Sequence, residues 1–570
     1  MQMKRLAPVL LLLSGCVADV DIQSPLPGSM FNAGDPVPLV VETDADRLVV
    51  DLSAAAFADD FDVDARLEQT LPAADGLGVV VVAPEGHEEQ AATRAFLQGR
   101  FREPTELQTN IVTAWLTPAL LDGGDDTVAG LLTDMLMEVG LARYVESPVV
   151  MPIPVGNLIL DIAEVTHGPM ELSLFVDDAR RLRLRADITD VVMTYTGTHD
   201  TMPWAVDYGP PEAPEYGVAR LAEVTVVGTV NLDHLGCRRG AECSGADVLE
   251  DEEVRHSGVQ VEDANCVVLD VIDVCSTVED WMDGGIKAPL AAAAAAATGH
   301  TLTHLVSSLE PELGIAFPKP IEKAMQFGRA VTRGHSVVLE YDGRIEAVTP
   351  TIAAEGQGVL RREDEVEDGY GICLGEAVVN AVSYAAWDAG NLTDLEYSPE
   401  QLLEWGLPNE FPWTSIEGSR VSALLPPVLE VRGEQVWVDV GGIVGVVDAG
   451  DFGEAIVRGS ATVPVEIVHS EDTVRLTVRG SNHDLRILGL GFDEAHDLLN
   501  REEAARIVEV IVPAMLEGLF EQLSNLQLPE LGVPPLLPEE GSTARGDIAM
   551  DTSGIDVVAN GWCVPASLRR

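Results

Sequence analysis

The sequence predicts an α+β fold: two tandem units of curved antiparallel sheet wrapped around long helices, preceded by a small β-sandwich domain. Three observations support this prediction. Residues 19–105 carry short β-branched runs separated by turn residues. Residues 107–325 and 326–570 repeat one order of helices and strands, and the strands of both halves alternate apolar and polar residues over long stretches. A chain of 570 residues is long enough for three such domains.

The first sixteen residues predict an export signal that ends in a lipid anchor. Lys4 and Arg5 precede an apolar run, residues 6–13, that is too short to cross a bilayer as a helix, since that takes about 20 residues. The closing Leu13-Ser14-Gly15-Cys16 resembles the lipobox of bacterial lipoproteins. The resemblance implies that residues 1–16 form a lipoprotein signal peptide and that Cys16 is acylated. Because Val17 and Ala18 follow Cys16 where an Asp-type signal for retention in the inner membrane would stand, the expected location is the outer membrane, facing the periplasm or the surface. The alternative for Cys16 is an ordinary thiol.

The composition is strongly acidic. The chain has 35 Lys and Arg against 94 Asp and Glu, a formal net charge of −59. Such a surface repels nucleic acid and anionic lipid head groups, so neither is an expected partner. The hydrophobic fraction of 46% is normal for a globular protein, which indicates that the acidic residues lie on a folded surface.

Cysteine usage agrees with export. Apart from Cys16, the chain has six cysteines: Cys237, Cys243, Cys266, Cys275, Cys373 and Cys563. An even number in an exported protein predicts disulfides, and the spacing alone leaves the pairing open. The short Cys-x-x-Cys spacing of zinc sites is absent, so no metal cluster is expected.

The predicted β domain at residues 19–105 opens with a turn-rich segment at 22–28. Strands are predicted at 37–41, 47–52 and 76–82, where β-branched runs lie between Gly, Pro and Asp. The domain resembles the Ig-like modules near the start of many bacterial surface lipoproteins, which implies a spacer or docking module.

The first half opens with a predicted helix over 128–142, whose apolar residues recur at helical spacing. Strands are predicted at 158–163, 182–188 and 224–232, where strict alternation indicates one apolar and one wet face. A closing helix is predicted from about residue 276 to residue 309.

The second half follows the same plan. A helix is predicted over 374–389, with Gly390 placed to end it in a left-handed conformation. A long closing helix is predicted over 502–526, bent at Pro513. The predicted strands of this half are 436–440, 463–467 and 474–478.

Three segments resemble a known family. Residues 374–392 have Asn380 early, an aromatic residue in the middle of the helix and Ala-Gly before the next strand. They are similar to the helix that opens the second domain in one family of the TULIP superfamily. That family contains bactericidal/permeability-increasing protein, lipopolysaccharide-binding protein and the plasma lipid-transfer proteins. Residues 507–529 resemble the last helix and following strand of that domain. Leu425-Pro426-Pro427-Val428-Leu429 stands where the family often has a Pro-Pro strand lead-in.

The resemblance covers roughly residues 107–570 and implies two tubular barrels joined by a central sheet, each with an apolar pocket for acyl chains. In the first half the pocket residues would be Leu131, Met135, Leu136, Val139, Leu160 and Leu184. In the second half they would be Ile511, Met515 and Leu519. The alternative is that these side chains pack a filled core.

The family also has a disulfide between a strand and the closing helix of its first domain. Cys266 and Cys275 lie around that strand-to-helix transition here but are too close in sequence to copy the long-range bridge. Cys266 with Cys275 and Cys373 with Cys563 are the candidate pairs, chosen without a motif that fixes them. Endotoxin-binding members meet anionic lipid with basic tips, and this acidic chain departs from that pattern. The departure argues against lipopolysaccharide as the ligand and leaves acyl-chain binding unaffected, because a pocket works by apolar burial.

The sequence contains no nucleophile elbow, no phosphate-binding Gly-rich loop and no His-Glu-x-x-His, so no enzyme is predicted. His300 and His304 have a metal-binding spacing but no placed carboxylate, which favours a simple helix-face pair. Asp60, Asp62 and Asp64 imitate the start of a calcium loop that lacks its Gly and its bidentate Glu. An EF-hand is therefore excluded, and a looser calcium contact stays open.

The expected function is that of a non-catalytic, membrane-anchored lipoprotein that binds, and in one version transfers, a lipid or another long apolar ligand, without a cofactor. A second hypothesis is an adhesin-like or scaffold lipoprotein with closed barrels and a protein partner. A third, a metal-dependent hydrolase, requires tightly bound zinc.

Overall fold

The computed structural model describes the greater part of the chain in segments. These are residues 19–53, 57–73, 75–87, 90–103, 105–122, 124–139, 143, 145, 147–153, 156–200, 216–234, 249–258, 260–262, 268–269, 272–273, 293, 296–297, 299–304, 317–350, 359–360, 370–398, 400, 418–448, 454–470, 473–478, 486–493, 531–533, 546–550, 556–558 and 561–569. Residues 1–18, which include the predicted export signal and Cys16, and most of both predicted closing helices lie outside the described residues.

The first part of the chain holds ten strands and two helices. They are β1 (Val20–Ser24), β2 (Met30–Asn32), β3 (Val37–Thr43), β4 (Arg47–Leu52), β5 (Phe57–Asp62), β6 (Arg66–Leu71), β7 (Gly76–Pro84), β8 (Ala92–Gly99), β9 (Phe101–Arg102), β10 (Gln108–Leu116), α1 (Pro118–Leu121) and α2 (Val128–Val139).

The middle part runs to the opening strand of the second half. It contains β11 (Val149–Ile153), β12 (Gly156–Thr166), β13 (Met170–Val176), β14 (Leu182–His199), β15 (Gly217–Val230), a 3₁₀ helix (Leu232–His234), β16 (Leu249–Ser257), β17 (Gln260–Glu262), β18 (Val268–Leu269), β19 (Ile272–Asp273), β20 (Ile321–Arg333), β21 (Ser336–Ala347), β22 (Val359–Leu360) and β23 (Gly371–Gly375).

The last part begins with a helix. It contains α3 (Glu376–Asp388), β24 (Leu395–Tyr397), β25 (Gly418–Ala423), β26 (Val428–Arg432), β27 (Gln435–Asp448), β28 (Glu454–Ser470), β29 (Thr473–Val478), β30 (Arg486–Asp493), β31 (Leu531–Val533), β32 (Gly546–Met550), β33 (Asp556–Val558), β34 (Gly561–Val564) and β35 (Ala566–Arg569).

The N-terminal module, β1 to β8, is a sandwich of two sheets. One sheet has the order β1-β3-β6 and the other β2-β8-β7-β4-β5. Alternate residues of both sheets meet in one core, which includes Leu39 and Val41 from the first sheet and Leu48, Val50 and Phe96 from the second. Period-two burial on two facing sheets is the packing expected of a β-sandwich. The module ends with β8, since β9 pairs instead with β22, far along the chain.

Two seven-stranded sheets have the same topology. In the first, β11-β12-β14-β15-β16 form a path, β13 pairs with β14, and β17 pairs with β15. In the second, β24-β25-β27-β28-β29 form the path, β26 pairs with β27, and β30 pairs with β28. Numbered from its own first strand, each sheet therefore has the order 1-2-4-5-6, with strand 3 on strand 4 and strand 7 on strand 5. The chain contains a structural repeat.

The repeat extends to single side chains. On the fourth strand of the first sheet Asp187 accepts a hydrogen bond from Thr225 of the fifth strand, at 2.6 Å. On the fourth strand of the second sheet Asp439 accepts one from Thr462 of the fifth strand, at 2.7 Å. Three residues after each aspartate the backbone has a positive φ, of 50° and 64° respectively. Matching bonds and matching irregularities in the same strands identify the two sheets as equivalent units.

A six-stranded central sheet joins the repeats in the order β20-β21-β10-β23-β34-β33. The first repeat contributes its opening strand β10 and the hairpin β20-β21. The second repeat contributes its opening strand β23 and the hairpin β33-β34. The opening strands pair antiparallel at the centre, with Ala114 opposite Ile372. Followed from either edge, the sheet has the same order: a hairpin, then the opening strand of the same repeat. This order is expected when a pseudo-twofold axis relates the two repeats. The boundary expected at 325/326 falls inside β20, and the strand pairing assigns β20 and β21 to the first repeat.

A buried carboxylate stabilises the outer face of this sheet. Glu340 on β21 has no exposed surface and is bound by Arg329, at 2.5 Å, and by Arg333, at 3.0 Å. The Arg333 side chain is 22% exposed, against 59% for Arg329, and its guanidinium stacks on Trp115 with 5.7 Å to the ring centroid. Arg333 is therefore the better shielded partner of the carboxylate.

We expect Arg333→Ala to lower the free energy of unfolding by about 3 kcal/mol, because it leaves a buried carboxylate without its shielded partner. Arg329→Ala should cost no more than about 1 kcal/mol, since water replaces an exposed guanidinium easily. Urea unfolding of both variants measures the difference. Equal losses, or a larger loss for Arg329→Ala, would contradict this account.

The helix that opens the second repeat ends as the sequence predicts. Gly390 has φ 78°, and the Asn391 amide donates to the Ala386 carbonyl at 2.9 Å while the Gly390 amide donates to the Trp387 carbonyl at 2.8 Å. This bond pair is a Schellman motif, in which glycine adopts the left-handed conformation without strain. The predicted cap is confirmed.

The strand predictions at 158–163, 182–188, 436–440, 463–467 and 474–478 are confirmed within β12, β14, β27, β28 and β29. The described part is predominantly β, and α2 and α3 have 12 and 13 residues. Of the first closing helix, residues 293, 296–297 and 299–304 are described and helical; residues 502–526 lie outside the described residues.

Candidate apolar ligand site

The interior of the first repeat is formed by α2 and the inner face of its sheet. Leu131, Met135 and Leu136 of α2 are 0%, 0% and 3% exposed and belong to one apolar cluster. Helix α2 packs against β13, where the Leu172 amide donates to the Thr133 hydroxyl at 3.3 Å. The helical stripe predicted from the sequence thus faces the sheet.

The strand residues of the predicted pocket join the same cluster. Leu160 on β12 and Leu184 on β14 are 2% and 0% exposed and face inward. Val139 is the last residue of α2. The structure therefore brings Leu131, Met135, Leu136, Leu160 and Leu184 together in a single interior.

The inner surface is almost wholly apolar. Among the described residues, each buried side chain on β13, β14 and β15 is apolar except those of Tyr195 and Thr229. Three methionines, Met135, Met170 and Met193, are buried here. Methionine has a flexible, unbranched side chain that adapts to irregular apolar shapes.

The second repeat places its opening helix differently. All thirteen residues of α3 are buried, and polar side chains fasten it to β26 and β25. Asn380 donates to the Leu429 carbonyl at 3.0 Å and accepts from the Leu429 amide at 2.7 Å. Trp387 donates to the Ala423 carbonyl at 2.8 Å. Ile511, Met515 and Leu519, the pocket residues expected in this repeat, lie outside the described residues.

One apolar cluster runs through both repeats. It contains residues of α2, α3, both seven-stranded sheets and the inner face of the central sheet. Apolar contacts among the described residues therefore link the interiors of the two repeats through the central sheet.

The N-terminal module lies directly against the second repeat. Leu77, Val79, Ala95 and Leu97 of the module share an apolar cluster with Leu425, in the Pro-Pro segment, and with Val428. At Gly441 an added Cβ would sit 2.3 Å from the Leu77 side chain, so the two surfaces are in close contact. The module is packed directly on the second repeat.

Ionisable groups in the described part are engaged in structural contacts. Burial raises the pKa of the Asp439 carboxyl, while Thr462 and Arg432 oppose that shift by binding its charged form. Burial, and then the charges of His304 and Arg143, lower the pKa of His300. Asp62 forms an ion pair with Arg47 at 3.1 Å.

The described residues contain no group of three or more His, Cys, Asp or Glu placed to hold a metal ion. Within the same part of the chain, none of the helices is both long enough and apolar enough to span a membrane.

The cysteines are partly resolved by the structure. A disulfide joins Cys373 on β23 to Cys563 on β34, one of the two candidate pairs. Cys266 and Cys275 lie outside the described residues, as does Cys16.

The central sheet contains three buried hydrogen-bond donors that the sequence does not predict. Tyr341 on β21, Gln108 on β10 and Trp562 on β34 are 0%, 2% and 2% exposed, and among the described residues the Tyr341 hydroxyl, the Gln108 amide nitrogen and the Trp562 indole nitrogen have no hydrogen-bond partner. Burial raises the pKa of Tyr341 above its ordinary value, so the hydroxyl is a neutral donor. Their strands are distant in sequence, and no local pattern signals that they meet in one sheet.

No family model matches the chain, and no curated protein matches it. Among solved structures, the chain is similar to lipopolysaccharide binding protein, at 11% identity and a TM-score of 0.35, over 81% of this chain and 99% of that one. It is also similar to P47 of Clostridium botulinum E1, at 9% identity and a TM-score of 0.26, over 81% and 99% of the two chains. P47 from Clostridium botulinum A2 matches at 8% identity and a TM-score of 0.25, over 81% and 97%. With identities and scores this low, the fold and site assignments rest on the chain's own strand pairing and burial.

Proposed function

We propose that the protein is a non-catalytic lipoprotein that binds a lipid or another long apolar molecule inside its repeats, and that Cys16 tethers it to the bacterial outer membrane. The observation that carries the proposal is the pair of equivalent seven-stranded sheets whose inner faces belong to one apolar cluster. Transfer of the ligand between membranes is the extended form of the same proposal.

The chemistry of the first repeat supports acyl chains as the bound part. Burying apolar surface is worth roughly 25 cal/mol per Å², and an acyl chain needs no polar partner along its length. The first repeat offers such a surface on α2, β13, β14 and β15, with flexible methionines among its side chains. When aliphatic side chains move apart to admit an acyl chain, apolar contacts with the ligand replace apolar contacts within the protein.

The charge of the protein limits the head group. With a formal net charge of −59, the surface repels anionic head groups at a distance and during approach to a membrane. The proposal therefore favours uncharged or zwitterionic lipids over lipopolysaccharide. The acyl anchor at Cys16 would supply the membrane attachment that the acidic surface does not.

The test is mass spectrometry of organic extracts from protein that begins at Val17 and is purified without detergent. A stoichiometric phospholipid, fatty acid or related molecule is the expected result and would identify the ligand class. The same extraction after incubation with membrane vesicles covers a ligand lost during purification.

Two clean extracts would overturn the proposal. They would favour the alternative in which the barrels are closed, the named side chains form a filled core, and the outer surface binds a protein partner. A lipid recovered in equal amounts from the isolated N-terminal module would also contradict the assignment to the repeats.

A further inference from the structure

We infer that the inner face of the central sheet is a polar anchor point for the ester carbonyls of a diacyl lipid with an uncharged or zwitterionic head group, with Tyr341 as the principal donor. The inference rests on the proposed function and adds to it the place where the ligand's polar atoms bind. It is carried by buried hydrogen-bond donors that the protein itself does not satisfy.

The three donors lie on one surface. Tyr341 and Trp562 both belong to the apolar cluster that fills the inner side of the sheet. Gln108 stands opposite Gly343, which is two residues from Tyr341 on the same strand. Residues two apart on a strand share a face, as do directly opposed residues, so Gln108 is placed on the same face as Tyr341, at the far side of the irregularity that the pairing shows between Gln108 and Val112.

Their position is the junction of the two repeats. Tyr341 lies on β21 beneath α3, which packs on both β21 and β10. Its ring meets Phe327 edge to face, with 5.9 Å between ring centroids, so aromatic packing holds the side chain in place. The hydroxyl is thus a fixed group in the apolar interior.

Buried donors without a partner are rare in folded proteins. Each unsatisfied buried group costs about 1–3 kcal/mol, and the great majority of such groups have a protein or water partner. Three on one face of one sheet indicate a place built to receive acceptors. A ligand that supplies acceptors and no donors fits best, and the two ester carbonyls of a diacyl lipid do so.

The surroundings select against a charged acceptor. On the described strands of the central sheet no buried side chain is cationic, and a carboxylate buried without a cationic partner is strongly disfavoured. The two buried residues of charged type on α3, Glu376 and Asp388, are both acidic. A neutral ester is therefore preferred to a free fatty acid at this position.

The experiment is a competition between two lipids that differ only at the carbonyl. Protein beginning at Val17 is incubated with vesicles containing equal amounts of dipalmitoyl phosphatidylcholine and its diether analogue, and the bound lipids are quantified by mass spectrometry. The wild type should retain the diester in about fivefold excess, since one net hydrogen bond is worth roughly 1 kcal/mol. In Tyr341→Phe the excess should fall towards equal amounts.

The variants make the outcomes distinct. Tyr341→Phe removes an unpaired hydroxyl, so the fold is retained, and Gln108→Leu serves as a second variant. Tyr370→Phe is the matched control, because Tyr370 hydrogen-bonds Asp556 and packs beside the disulfide on the other face of the sheet. Equal binding of both lipids by the wild type, or an unchanged preference in Tyr341→Phe, would overturn the inference and leave the proposed function standing. Binding of neither lipid would also overturn the inference, and the proposed function would then be decided by the extraction of the purified protein described above.

Discussion

Replacing both cysteines of the disulfide, in Cys373→Ala/Cys563→Ala, is expected to lower the free energy of unfolding by about 2–5 kcal/mol. The bridge joins residues 190 apart in sequence, and both cysteines are fully buried. It connects β23, which opens the second repeat, to β34, which comes near its end, so the whole second repeat is closed into one loop. Losing the cross-link releases the conformational entropy of that loop in the unfolded chain.

The measurement is urea unfolding followed by tryptophan fluorescence. Val338→Ala is the matched control, because Val338 packs in the same small cluster as the two cysteines and its truncation leaves the chain connectivity unchanged. A double variant that loses no more stability than Val338→Ala would show that the bridge contributes only packing. Hydrogen exchange should place the added opening in the second repeat, with the N-terminal sandwich protected as before.

Local features of the fold could be predicted because their signals are local. Alternation at Leu182, Leu184 and Ile188 places one strand face in the core whatever its partners are. Gly390 predicts a helix end because the left-handed conformation is most easily adopted by glycine. The apolar residues that recur at helical spacing in α2 likewise predict which face of that helix is buried.

The central sheet could not be predicted in the same way. Its pairings join β10 to β23 and β23 to β34, strands separated by hundreds of residues, and antiparallel pairing leaves no mark in either strand alone. For that reason the sequence does not show that the expected boundary at 325/326 falls within a single strand, β20, or that Tyr341 lies in the central sheet. A lone tyrosine in an apolar run becomes informative only when its partners are known to be absent.

The residues predicted to line the pocket are buried together in the structure. The sequence predicts Leu131, Met135, Leu136, Leu160 and Leu184 as pocket residues, and the structure brings them into one interior. Burial is the same for a filled core and for a wall that makes room for an acyl chain, because both are apolar surfaces removed from water. Lipid extraction distinguishes the filled core from the wall of a lipid-binding pocket.

Substituting Asn380 is expected to detach α3 from its sheet. The Asn380 side chain forms two hydrogen bonds to the backbone of Leu429, on the edge of β26 that β27 leaves unpaired. One helical turn earlier, Glu376 accepts from the amide of Val431, at 2.5 Å. Helix positions four apart and strand positions two apart are separated by similar distances, roughly 6–7 Å, so this helix face pairs with the strand edge as another strand would.

Asn380→Ala should therefore lower the free energy of unfolding by about 2–4 kcal/mol, because it leaves a buried amide and a buried carbonyl of Leu429 unpaired. Ser422→Ala, which removes two exposed hydrogen bonds with Asp394, is the control and should cost less than about 1 kcal/mol. Urea unfolding compares the two variants. Equal losses would contradict the role assigned to Asn380.

Asn380→Asp gives the same site a pH dependence with a defined sign. An aspartate here keeps the acceptor for the Leu429 amide, but its charged form faces the Leu429 carbonyl in a buried position, so its pKa in the folded protein is raised. A raised folded pKa means that the native state binds the proton more tightly, and stability is gained as the pH falls through that pKa. Once protonated, the acid also donates to the carbonyl and restores both bonds. The variant should thus be far less stable than the wild type at neutral pH and approach it in mild acid, and a constant difference across that range would contradict the pairing of α3 with β26.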